Sequence, residues 1–323
     1  MRTIRCVALL LGLFCNAALK PALATEPFPS HPIKFVVGFA AGGGTDVVAR
    51  IMCDWLTPHL GQPCVVENRT GSGGMIAAGA VINAPPDGYT ILFVAPNDVI
   101  GNALYKNLPF DFLRDSAPVA GIMQLSNVMI VPPSLGVTSV AQFIALAKAR
   151  PGEIHYASSG NGTSVHMSAE LFKMMTNLNM VHVPYRGAAA AYPDLLAGRV
   201  HVMFDNIPSA TGFIKAGTLR ALAVTTKTRS AALPDIPTVA EAVPGYEARV
   251  FYGVSAPKGT PPDVIDILNK AFTAAISNPA MQKRIAELGG VPMPMTSTEF
   301  GKLLTDESEK WADVVKAAGI SVE

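Results

Sequence analysis

Phe39-Ala40-Ala41-Gly42-Gly43-Gly44-Thr45-Asp46 separates an apolar run, Ile33 to Val37, from a helical pattern that begins at Val47. A strand that turns through three glycines into a helix leaves the first amides of that helix without intrahelical acceptors, at the positive end of its dipole. Such an end is an anion socket made of backbone. A second stretch of the same design, Ser158-Ser159-Gly160-Asn161-Gly162-Thr163, follows the strand-like Ile154 to Ala157 and precedes the helical Val165 to Met175. Two such sockets facing each other predict a cleft that holds a small carboxylate. Phe39, Gly43, Gly44, Thr45 and Asp46 are the candidate contacts on one side, and Ser158, Ser159, Asn161, Gly162 and Thr163 on the other.

Outward from these two stretches, short β-rich runs alternate with amphipathic ones, the pattern of an α/β protein with mostly parallel sheets. Val48, Ile51, Met52, Trp55 and Leu56 share one helical face, and Pro58 predicts a helix end near Leu56. The chain turns apolar from Met123 to Val131 and the alternation starts afresh at Val140, as a second domain requires. In open α/β sheets the strand ends meet the cleft, so two further loops join the candidate site. These are Tyr185, Arg186 and Gly187 after Met180 to Val183, and Asp205 after Val200 to Phe204. Arg186 is the candidate charged contact, although a solvent-facing arginine is the commoner role. Asp205 either orients water or a ligand donor, or makes a structural hydrogen bond. Thr45 and Asp46 also suit the first turn of a helix, where they satisfy free amides.

The N-terminus carries Arg2 and Arg5, an apolar run from Cys6 to Leu13, and Ala22-Leu23-Ala24 ahead of Thr25. This is the plan of a secretory signal cleaved after Ala24. Three of the 25 basic residues and none of the 24 acidic ones precede that point, so the mature chain carries a small negative charge. Such a balance argues against nucleic acid as a partner. No later apolar run approaches the ~20 residues of a membrane span, so no membrane insertion is expected. Of the four cysteines, Cys53 and Cys64 remain after cleavage. An isolated pair in an oxidising compartment reads as a disulfide ahead of a reactive thiol or a metal site.

Several chemistries are disfavoured by spacing. Gly38 to Thr45 nearly fits the phosphate loop G-x-x-x-x-G-K-[ST], but Gly44 stands where the lysine belongs. The dinucleotide spacing G-x-G-x-x-G is absent. The six histidines never approach H-x-x-x-H with a helper acid, and Met167, Met174 and Met175 suit core gaps, so no metal or cofactor is expected. Ser158 or Ser159 with His166 and Asp205 could be drawn as a hydrolytic relay, but no G-x-S-x-G elbow supports it. A sensor input domain that closes on a ligand for a receptor satisfies the same pattern as transport.

The chain resembles the periplasmic solute-binding proteins of tripartite tricarboxylate transporters, the Bug or TctC-like family, along the mature length. The similar stretches include Gly38 to Asp46, Val66-Glu67-Asn68-Arg69, Pro86-Asp87-Gly88-Tyr89-Thr90, Ser158 to Thr163, Val181 to Gly187, Phe204-Asp205-Asn206 and Leu233 to Glu241. The resemblance implies a two-lobed type II periplasmic binding fold. Residues 25–123 and 251–323 would form lobe 1 and residues 124–250 lobe 2. It also implies a monomer without catalysis that delivers a small carboxylate to a two-component membrane permease through a transient contact. One departure stands out: Ala95-Pro96-Asn97-Asp98 occupies a loop where relatives place small hydroxyl residues, so Asn97 is the expected substitute contact.

Overall fold

The computed structural model describes residues 27–321, so the expected signal and its cleavage point lie outside the described residues. The first three strands, β1 (Ile33–Val37), β2 (Cys64–Asn68) and β3 (Thr90–Val94), alternate with helices α1 (Gly44–Leu60) and α2 (Met75–Ile82). They pair in parallel in the order β2-β1-β3, with β1 at the centre. In β1 only Lys34 faces solvent, as a central strand covered on both faces demands. Helices α3 (Pro96–Leu104) and α4 (Phe112–Asp115) then lead into β4 (Ser116–Val131), a strand of 16 residues.

After α5 (Val140–Ala149), which Ser139 caps by accepting the Gln142 amide at 3.2 Å, the same pattern repeats. Strands β5 (Ile154–Ser158), β6 (Met180–Pro184) and β7 (Val202–Asn206) alternate with α6 (Ser164–Thr176) and α7 (Ala188–Leu196). They pair in parallel in the order β6-β5-β7. Helix α8 (Ile207–Lys215) and strand β8 (Arg220–Val224) close this half. The chain returns through β9 (Arg249–Pro257), α9 (Pro262–Ser277), α10 (Pro279–Glu287), β10 (Gly290–Pro292) and α11 (Ser297–Ala318).

Strand β4 joins the halves. It pairs with β9 from Ser116 to Ser126 and with β7 and β8 from Asn127 to Val131. The expected parallel pairing therefore holds for the outer strands of each half, while those at the joint run antiparallel: β4 against β7, β8, β9 and β10, and β3 against β9. The result is a mixed α/β molecule of two lobes, as the sequence leads one to expect. In α9, Val264, Ile265, Leu268, Phe272, Ala275 and Ile276 recur at helical spacing and face the first lobe's core. Helix α11 packs on both α3 and α6. It lies close on β9 because Gly253 has no Cβ, which would meet Phe300 Cζ at 2.1 Å.

One local expectation changes and another holds. Helix α1 does not stop near Leu56 but continues through Pro58 to Leu60, with Gly61 in the left-handed conformation at its end. Thr57 holds the extra turn: its hydroxyl donates to the Cys53 carbonyl and accepts the Cys64 amide, and its carbonyl accepts the Gly61 amide. The short α4 and β10 carry too few residues for a periodic signal. Cys53 and Cys64 form the disulfide, with Cα atoms 4.9 Å apart, tying α1 to β2.

Candidate functional site

In each lobe the central strand of the parallel trio runs into a glycine loop and then a helix: β1 into α1, and β5 into α6. With strand orders 2-1-3 and 6-5-7, both loops sit where successive connections leave in opposite directions, the place where open α/β sheets leave a crevice.

In the first loop Gly43 is the N-cap of α1 and offers no side-chain cap. The amides of Gly44, Thr45 and Asp46 have no acceptor among the described residues, and neither has the Thr45 hydroxyl. The buried Asp46 carboxylate faces inward. It accepts the Gly42 amide at 2.8 Å, Arg50 Nε at 2.9 Å and Asn68 Nδ2 at 2.9 Å, while Asn68 Nδ2 also donates to the Phe39 carbonyl. Burial pushes the Asp46 carboxyl up, yet Arg50, the Gly42 amide and Asn68 outweigh it and hold the group below its ordinary value. Asp46 is thus a charged clasp that shapes the loop.

The second loop needs glycine at Gly160 and Gly162, with φ of 128° and 74°. Thr163 caps α6: its hydroxyl accepts the His166 amide at 3.3 Å and donates to the Gly160 carbonyl at 2.8 Å. The Ser158 hydroxyl is fully buried, lies 2.6 Å from His182 Nε2 and accepts the Gly160 amide at 3.2 Å. Both hydroxyls are therefore engaged within the loop and do not point outward as expected. The amides of Asn161, Ser164 and Val165 have no acceptor among the described residues.

Elsewhere, Ala95 and Asn97 are buried at the start of α3, and the Asp98 carboxylate accepts the Ala95 amide at 2.8 Å and Asn97 Nδ2 at 3.2 Å. Burial pushes the Asp98 carboxyl up to about 7. Asp205 accepts the Tyr192 hydroxyl at 2.5 Å and the Asn206 amide at 2.8 Å, and burial pushes it up to about 6. Neither histidine of α6 and β6 touches Asp205, so the hydrolytic relay of Ser158, His166 and Asp205 is not assembled. The Tyr185 hydroxyl donates to Asp194 at 2.6 Å, and Gly187 is the N-cap of α7. Arg186 is exposed and makes no hydrogen bond or ion pair among the described residues.

A family model described as "Tripartite tricarboxylate transporter family receptor" matches residues 48–320. The chain belongs to this family. Protein BugT of Bordetella pertussis is 35% identical over 317 residues, covering 97% of each chain. Among solved structures, R. palustris Rpa4515 with adipate matches at a TM-score of 0.86 and 39% identity, over 91% of this chain and 99% of that one. MatC from Rhodopseudomonas palustris with bound malate matches at 0.83 and 29%, over 89% and 100%.

The lobes of this receptor touch beside both loops. A Cβ on Gly73 would lie 2.9 Å from the Asn161 carbonyl oxygen and from the Tyr105 hydroxyl, and one on Gly162 would lie 2.6 Å from Leu104 Cδ2. Gly44 of α1 shares a cavity of about 10 Å³ with Asn206, Pro208 and Tyr252. Asn97 and the Phe39 ring flank Gly74, one residue from the Gly73–Asn161 contact. A larger cavity of about 460 Å³ opens on the first lobe between Met75, Ile76, Tyr105 and Phe110, and neither glycine loop lines it. The structure thus brings Phe39, Gly44 and Asn97 of one lobe and Asn161, Gly162 and Asn206, the last residue of β7, of the other to the inter-lobe seam. Among the described residues the Arg186 and Tyr185 side chains make no hydrogen bond or ion pair to the other lobe. Sequence reading missed Asn68, His166, His182 and Tyr192 as partners of site residues. Among the described residues no helix is long and apolar enough to cross a membrane, and no group of three acids, histidines or cysteines is placed to hold a metal ion.

Proposed function

We propose that this receptor captures a small mono- or dicarboxylate in the periplasm, closes around it, and delivers it as a monomer to a two-component membrane permease. The observation that carries the reading is the pair of helix N-termini, one per lobe, with open amides at Gly44, Thr45 and Asp46 and at Asn161, Ser164 and Val165. Arg50, the cation hydrogen-bonded to the first loop, is already paired with Asp46. An acceptor ligand matched by amides in place of side-chain cations is a carboxylate of low charge, not a polyphosphate. The family, and neighbours solved with adipate and with malate, support the same class.

In this reading the Thr45 hydroxyl, Ser159 and Asn97 add polar contacts, and Phe39 covers the apolar part of the ligand. Ser158, Thr163, Asp46 and Asp205 act behind the loops as supports. Residues 25–123 and 251–323 move as one lobe and residues 124–250 as the other, hinging on β4 and β9. Closure strips water from both sockets, where each charge-assisted hydrogen bond contributes roughly 1.5–3 kcal/mol. Only the closed form fits the permease.

The experiment is a thermal-shift and calorimetric screen of the mature protein against C4 to C8 dicarboxylates, aromatic monocarboxylates and amino acids. A true ligand at 100 times its Kd stabilises by about 2.7 kcal/mol. Stabilisation by sugars or cations with no response to any carboxylate overturns the proposal.

A further inference from the structure

The two loops share a clasp that their sequences hide. In the first, Asp46 is the third residue of α1 and its carboxylate accepts the amide of Gly42, four residues back. In the second, His166 is the third residue of α6 and its Nδ1 accepts the amide of Gly162, again four residues back, at 3.2 Å. The geometry is the same, but a carboxylate closes one loop and an imidazole the other.

We propose that His166 is a positioning residue for the second loop: as a neutral imidazole with a bare Nδ1 it turns the Gly162 amide inward and leaves those of Asn161, Ser164 and Val165 aimed at ligand. This rests on the carboxylate-binding reading above. An imidazole that accepts at Nδ1 carries its proton on Nε2. That Nε2 is buried without a hydrogen-bond partner among the described residues, and Glu170 Oε1 lies 3.9 Å away. Glu170 itself is held by the Tyr156 hydroxyl and by Lys173. The ring stacks at 4.0 Å on His182, which in turn holds Ser158, the acceptor of the Gly160 amide. The two stacked rings therefore fix both glycine amides of the loop, one directly and one through Ser158. Burial and Lys173 lower His166 to about 4, and burial with His166 lowers His182 to about 3, so both rings stay neutral at ordinary pH. A neutral clasp has a functional sense: a second carboxylate here would repel the ligand, whereas the first is neutralised by Arg50.

The test has two arms. In ¹⁵N spectra of the ligand-free protein, His166 should show an unprotonated Nδ1 and a protonated Nε2, and the Gly162 amide should shift when His166→Phe removes the acceptor but keeps a ring. With adipate as the probe, or whichever carboxylate the screen finds tightest, H166F should bind about tenfold or more weakly. His166→Asn, whose side-chain oxygen falls near the place of Nδ1, should recover to within about threefold of the wild type. A protonated Nδ1 in the free protein, or H166F binding as tightly as wild type, overturns the proposal. If H166F fails to fold, the tautomer and the Asn variant still decide. Wild-type protein that binds no carboxylate instead defeats the function reading, while the spectra of the free protein judge the clasp separately.

Discussion

Asp98 and Asp205 have no cation hydrogen-bonded to them among the described residues, and burial alone lifts them to about 7 and about 6. Their folded values lie above the ordinary 3.8, so between about pH 4 and 7 the folded chain holds protons that the unfolded chain releases. Their contribution to stability is present at low pH and is lost as pH rises through that window. His166 and His182, lowered from 6.5, act in the opposite sense: their contribution is present above 6.5 and is lost as pH falls. Removing the larger acid effect should expose the histidines. Asp98→Asn is expected to give a melting temperature that climbs more steeply from about pH 4.5 to 6.5 than the wild type's, read by calorimetry across that range. Superimposable profiles would show that Asp98 is ionised in the native state. At this scale the sequence was least informative. Ser158, Asp46 and Asp205 read as ligand contacts because of the loops that carry them. Side chains that also bind them, His182, Asn68 and Tyr192, lie 24, 22 and 13 positions away, beyond any local spacing rule.

Among elements, the glycine loops and the strand–helix alternation were legible because period and turn chemistry are local properties. The end of α1 was not. Pro58 removes an amide and disfavours helical geometry at Thr57, but the Thr57 hydrogen bonds and the Cys53–Cys64 bridge hold the next turn in place. The 16-residue β4 was half visible, since its apolar run starts at Met123 while Ser116-Ala117-Pro118 looks like a loop. The bridge lends itself to measurement. It closes a short loop, with a sequence separation of 11, for which chain entropy predicts roughly 2–3 kcal/mol. Replacing both Cys53 and Cys64 by Ser should lower the urea midpoint by that amount of stability while leaving carboxylate affinity nearly unchanged. An unaltered midpoint would mean that the tie between α1 and β2 is carried by packing alone.

For the molecule as a whole, ligand capture depends on how closely the lobes can approach, and Gly73 is one of the glycines, with Gly162, at which they meet. Its φ of 61° already favours glycine, and a methyl there would press on the Asn161 carbonyl and the Tyr105 hydroxyl. Gly73→Ala should cost the free protein about 1 kcal/mol from backbone strain. It should weaken carboxylate binding by more, about tenfold, with a ligand-saturated radius of gyration larger than the wild type's by small-angle scattering. Equal affinity and equal radius would place the closing contact elsewhere. The two-lobe plan was readable from the restart of alternation after Val131 and from the family resemblance. The antiparallel joint was not, because strand pairing between residues more than 70 positions apart leaves no mark on local composition. That joint also sets the order in which the molecule can be finished. Strand β9 sits between β3 and β4, so the half whose residues leave the ribosome first lacks an interior strand until Arg249–Pro257 has emerged. Strands β5 to β8 and the far end of β4 need no later partner for their pairing. The strands made second can therefore complete their pairing first, and the earlier sheet must wait, half-built, for its missing strand.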